Sequence, residues 1–76
     1  MNKYYIEYRV NDWDWDCTYI EAKNRDEAKE TFILNAARDA MRIGKNVLIY
    51  KDGMSLNAFD NDDNEDVLDI IKIEQA

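Results

Sequence analysis

Alternate positions from Tyr4 to Val10 are apolar, with Tyr4, Ile6, Tyr8 and Val10 on one side and Tyr5, Glu7 and Arg9 on the other. A period of two in aromatic and β-branched residues predicts a strand. The alternation resumes from Trp15 to Ala22 after a polar turn at Asn11 to Asp14, so the first two segments form a hairpin. A four-residue loop sets Val10 opposite Trp15, Tyr8 opposite Cys17 and Ile6 opposite Tyr19, and brings Arg9 to Asp16. Both faces are partly apolar, which leaves a slip of one residue open.

The period then lengthens. Asn24 and Glu27 fit a helix N-cap and its capping partner, and Gly44 fits the left-handed residue that closes a helix. Between them Ala28, Phe32, Ile33, Ala36, Ala37, Ala40, Met41 and Ile43 form an apolar stripe. Asp26 and Glu27 suit the positive end of the helix dipole, as Arg42 and Lys45 suit the negative end. A second hairpin follows: Val47 to Tyr50, the dipeptide Asp52-Gly53, then Met54 to Phe59. A two-residue turn there pairs Ile49 with Leu56 and Val47 with Ala58 and turns all four toward the helix. Val67 to Glu74 suits a strand or one helical turn, and its Ile70, Ile71 and Ile73 favour the strand.

The order ββαβββ predicts an α+β fold of two layers, a mostly antiparallel sheet of four to five strands with one long helix on one face. Residues 1–76 read as a single domain, with no linker or repeat. The chain is 46% hydrophobic, too apolar for a disordered acidic tail. Its single Cys17 reads as a half-buried strand residue and can close no internal disulfide, which favours a reducing compartment. No run is long and apolar enough for a signal or a membrane span, so a cytoplasmic protein without a membrane partner is expected.

There is no histidine, the two glycines are isolated, and the cysteine has no basic partner for nucleophilic work. These absences argue against an enzyme and against a bound cofactor. The segment Asp60-Asn61-Asp62-Asp63-Asn64-Glu65-Asp66 alternates oxygen ligands as a calcium loop does. It holds Glu65 where an EF-hand needs glycine and Ile71 where it needs the closing glutamate. No metal site is expected.

Charge adds the main functional clue. Residues 1–51 carry nine acids and nine bases, whereas residues 52–76 carry eight acids against Lys72 alone, which accounts for the net −7. The acidic stretch after Phe59 reads as a loop. A second knot, Asp12-Trp13-Asp14-Trp15-Asp16, alternates carboxylate and indole; extended, it would project its three acids from one side about 6–7 Å apart. Trp15 reads as a cap on the core and Trp13 as an exposed anchor of the kind enriched at binding hot spots. The candidate partner-binding residues are Asp12, Trp13, Asp14, Asp16, Asp60, Asp62, Asp63, Glu65 and Asp66. Such a surface attracts a basic protein and repels nucleic acid.

In size, in its −7 charge and in the clusters at Asp12 to Asp16 and Asp60 to Asp69, the chain resembles small acidic proteins encoded by phages and other mobile elements. Anti-CRISPR proteins and other DNA mimics of this kind block host defence nucleases by occupying their nucleic-acid-binding surfaces. The resemblance implies a protein-binding inhibitor or modulator in the host-cell cytoplasm that docks on a basic surface of its partner. The competing expectation is a small structural module that self-associates through an exposed sheet edge as a homodimer.

Overall fold

A computed structural model describes residues 1–76. Strands β1 (Asn2–Val10) and β2 (Asp14–Ala22) precede helix α1 (Arg25–Arg42), and β3 (Asn46–Tyr50), β4 (Ser55–Phe59) and β5 (Glu65–Gln75) follow it. All strand pairs are antiparallel and form one sheet in the order β2-β1-β5-β4-β3. The last segment is therefore a strand, and it lies at the centre of the sheet. The α+β class, the ββαβββ order and the single helix are as the periodicity predicts.

The helix starts where Asn24 Oδ1 accepts the Glu27 N–H at 2.8 Å. It stops in a two-bond closure in which Gly44 N–H reaches the Met41 carbonyl and Lys45 N–H the Ala40 carbonyl. Gly44, at φ +86°, makes that reversal possible. Ala28, Phe32, Ile33 and Ala37 are the buried positions of α1. Met41 and Ile43 are exposed, so the buried stripe is narrower than the sequence pattern. Opposite the helix lie Ile6, Leu56, Ala58, Ile70 and Ile73, with Tyr4 and Ala22 at the far end. The Tyr8 and Phe32 rings meet at 4.9 Å between centroids.

The second hairpin has the expected register, Ile49 with Leu56 and Val47 with Ala58, but not the expected turn. Lys51, Asp52 and Gly53 all take left-handed backbone, and Lys51–Gly53 forms a short 3-10 turn closed by Met54 N–H on the Lys51 carbonyl. The strand pairs end at Tyr50 and Ser55, so the connection takes four residues. Leu56 and Ala58 are buried under the helix and Val47 packs against them, while Ile49 stays half exposed at the sheet edge.

The first hairpin differs from expectation by one residue. Val10 pairs with Asp14, Tyr8 with Asp16, Ile6 with Thr18, and Arg9 with Trp15 rather than Asp16. The cause is the turn: Asn11 and Asp12 both take left-handed backbone, at φ 54° and 67°, which Asn and Asp tolerate best, so three residues suffice. Packing agrees with the shorter loop. Thr18, Ile20 and Ala22 lie under α1, whereas Trp15, Cys17 and Tyr19 go to the uncovered face, where bulk costs nothing. Trp15 is thus 55% exposed instead of capping the core, and Cys17 is exposed rather than half buried. On that face the Arg9 guanidinium sits over the Trp15 ring, and Tyr5 packs on Tyr19.

Candidate interaction surface at the acidic end

The antiparallel topology gathers six chain ends on one side of the molecule. Val10 pairs with Leu68, Asn46 with Phe59, and Phe59 with Glu65. The β1–β2 turn, the C-terminus of α1 and the β4–β5 loop therefore share that end. Asn11 binds the first two segments of acid to each other. Its N–H donates to the Val67 carbonyl and its Oδ1 accepts from Val67 N–H, both at 2.8 Å, and its Nδ2 donates to Asp66 Oδ1 at 2.9 Å. Two runs some fifty residues apart in sequence thereby become one surface.

The candidate acids do not all have the same role. Asp60 lies within the loop: Oδ1 accepts the N–H groups of Asp62 and Asn64, and Oδ2 accepts the Asn64 amide. These donors, the Asn64 side chain foremost, hold its carboxyl below the usual range. Asp66 is also engaged, receiving Lys45 Nζ at 2.6 Å as well as Asn11, and its carboxyl is lowered by those two partners in that order. Glu65 and Asp66 belong to β5 and not to the loop, which is confined to residues 60–64. Both displaced carboxyls move downward, so at neutral pH they are fixed charges rather than proton donors.

Asp12 lies in the bent turn, 3.4 Å from Arg9, and its left-handed backbone removes it from any even row with Asp14 and Asp16. Asp14 and Asp16 point to the helix side of β2, and Asp16 Oδ1 accepts the Cys17 N–H. Trp13 stands at the tip of the turn and is 75% exposed, as its sequence context suggests. Deeper in the sheet, Arg9 also reaches Asp69 at 3.6 Å, and Asp69 accepts the hydroxyl of buried Ser55 at 2.8 Å.

The bases at this end are already matched. Lys45 is paired with Asp66, Arg42 with Asp39, and Arg9 with Asp12 and Asp69. Asp14, Asp16, Asp62, Asp63 and Glu65 have no cationic partner and are exposed. Together with Trp13 they form the part of the predicted site that is free to meet another molecule. Asn11 and Lys45, which organise it, were not legible as site residues; the only hint was an Asn placed directly before the first acidic knot. The largest groove, about 540 Å³ between α1 and β1–β2, is lined by Tyr8, Ile20, Phe32 and Asn35 and gathers none of these five acids.

Compared with protein-family models, with curated proteins and with solved structures, the chain matches none. No helix is long and apolar enough to cross a membrane.

Proposed function

We propose that this protein works by binding: it docks its acidic end, with Trp13 as the apolar anchor, onto a basic groove of a partner protein that otherwise holds DNA or RNA. This is the mode of action of anti-CRISPR proteins and other DNA mimics, and it places the protein in the cytoplasm of a host cell. The observation that supports it is the Asn11 link, which joins two acidic segments at one end while the nearby bases are internally paired. What remains outward is a concentration of uncompensated carboxylate around an exposed indole. Such a field steers encounter and selects partners more than it adds affinity.

The test begins with a pull-down from the native host, with duplex DNA and RNA as competitors. Proteins retained through this surface are released by salt and by nucleic acid. The variant Asp62→Asn/Asp63→Asn/Glu65→Gln should then slow association and flatten its salt dependence while changing dissociation less. Trp13→Ala should do the reverse and speed dissociation, because a desolvated aromatic acts after contact. Asp60 and Asp66 are left intact, since Asp60 holds the 60–64 loop together and Asp66 ties Asn11 and Lys45 to the start of β5. An association rate unchanged in the triple variant would reduce the acids to a solubility role.

A further inference from the structure

The sheet has two edges of opposite character. β2 carries Asp14, Asp16 and Glu21 along its nine residues. β3 carries no charge, and its Leu48, Ile49 and Tyr50 are 51%, 46% and 44% exposed. Leu34 of α1 lies beside this edge, lining with Ile33 and Ile49 the apolar part of a groove of about 310 Å³ whose rim carries Asp26, Lys29, Glu30 and Asp52. Exposed Met41 follows Leu34 by two helical turns on the same side. Apolar surface therefore wraps around the edge from Leu48 and Tyr50 on the open face to Ile49 and Leu34 on the helix face. Free-standing edges are normally blunted by charge, proline or a bulge. β3 has none of these; the irregularity in the sheet lies between β1 and β5.

We infer that β3 pairs antiparallel with β3 of a second copy of this chain across a two-fold axis, making a continuous ten-stranded sheet. The strand is complementary to itself. Centred on Leu48, the pairing sets Leu48 against Leu48, Val47 against Ile49 and Asn46 against Tyr50, and no charge meets a charge. The β2 edge is less suited: paired about Thr18 it would set Asp14 against Ala22, Asp16 against Ile20 and Glu21 against Trp15, and so carry the three acids of each copy into one seam without a base among them. A β2-to-β3 contact would leave free edges and grow into a fibre rather than close.

Net charge also favours the antiparallel arrangement. Asn46 lies at the acidic end and Tyr50 toward the other, so the two-fold sends the acidic ends of the two copies in opposite directions. Lys45 is held by Asp66, and Lys51 leaves the strand at φ 55°, so these bases end the ladder on either side. A five-residue strand alone falls short of the roughly 800 Å² per partner of a stable interface. Exposed Leu34 beside the edge, and Met41 two turns further along the same side of α1, are the apolar side chains positioned to extend it.

Sedimentation at micromolar concentration is expected to give twice the 9.0 kDa chain mass. Leu48→Lys, with circular dichroism to verify the fold, should weaken association about a hundredfold, because the axis brings the two ammonium groups together. Register is read by oxidation in a Cys17→Ser background. Leu48→Cys should form a covalent dimer, since paired strands hold opposed residues at disulfide distance, whereas Asn46→Cys should not. A wild-type chain that sediments at 9.0 kDa overturns the inference, as does a dimer that survives Leu48→Lys or cross-links as readily through Asn46→Cys. The acidic end is untouched by these variants, so their outcome is independent of the proposed partner binding.

Discussion

Individual side chains here respond to pH in opposite directions at the two extremes. The Asp60 and Asp66 carboxyls lie below the unfolded value of about 3.9, so their ionised forms stabilise the fold above that pH. That contribution is lost as pH falls through their depressed folded values, and Asp66→Asn should flatten the acid limb of a melting-temperature profile. Tyr5 runs the other way: its hydroxyl donates to Glu7 Oε1 at 3.0 Å, and its pKa is pushed up to about 12, chiefly by that bond. The stabilisation is complete below the unfolded value of about 10 and disappears as pH rises toward 12, so Tyr5→Phe should remove an alkaline slope. The two tryptophans offer a separate check. Both are more than half exposed at or beside the acidic end, so their fluorescence should be quenched readily by acrylamide. Caesium should quench better than iodide, because the surrounding carboxylates concentrate cations and exclude anions. A blue-shifted, poorly quenched emission would return Trp15 to the core.

At the scale of elements, stability rests on α1 lying against the sheet. Phe32 is buried against Tyr8, and Phe32→Ala should cost about 3–5 kcal/mol, a large share of the total for so small a domain. Chemical denaturation showing a loss under about 1 kcal/mol would place Phe32 outside the core. Gly44→Ala should cost about 1–2 kcal/mol from backbone conformation alone, because a Cβ there would touch nothing within 4 Å. The helix and the second hairpin were readable because local chemistry sets them: Asn24 caps, Gly44 stops, and Asp52-Gly53 lies at the reversal. The first hairpin misled because both faces of β1 and β2 are apolar, leaving the hydrophobic pattern unable to choose between registers. The choice was made by Asn11 and Asp12 adopting left-handed backbone and by the need for slim Thr18 and Ala22 beneath the helix. The same limit applied to the site. Sequence showed which residues were acidic but not that Asp60 and Asp66 are engaged within the fold, since that depends on how the 60–64 loop folds Asn64 back onto Asp60 and on Lys45 and Asn11 reaching Asp66 from other segments.

For the whole molecule, the controlling feature is where the fold puts its charge. The chain is 40 Å long and 23 Å or less across, and five acids without a cationic partner, Asp14, Asp16, Asp62, Asp63 and Glu65, are gathered at one end of the sheet. Exposed charges interact within a Debye length, about 8 Å at physiological salt, so joining two acidic segments through Asn11 adds repulsion that the unfolded chain does not have. The same field that would draw a basic partner therefore costs some stability, and the cost depends on ionic strength. Melting temperature should rise as salt increases from a low value to a physiological one. The variant Asp62→Asn/Asp63→Asn/Glu65→Gln should melt higher than wild type at low salt and converge with it at high salt. None of the three side chains is in an ion pair or accepts a side-chain hydrogen bond within the fold, so their removal takes away repulsion without taking away structure. Thermal melts of both proteins across a salt series read the effect directly. Curves that do not respond to salt would mean that each acid is solvated independently, and an end without a concentrated field has nothing with which to steer a partner.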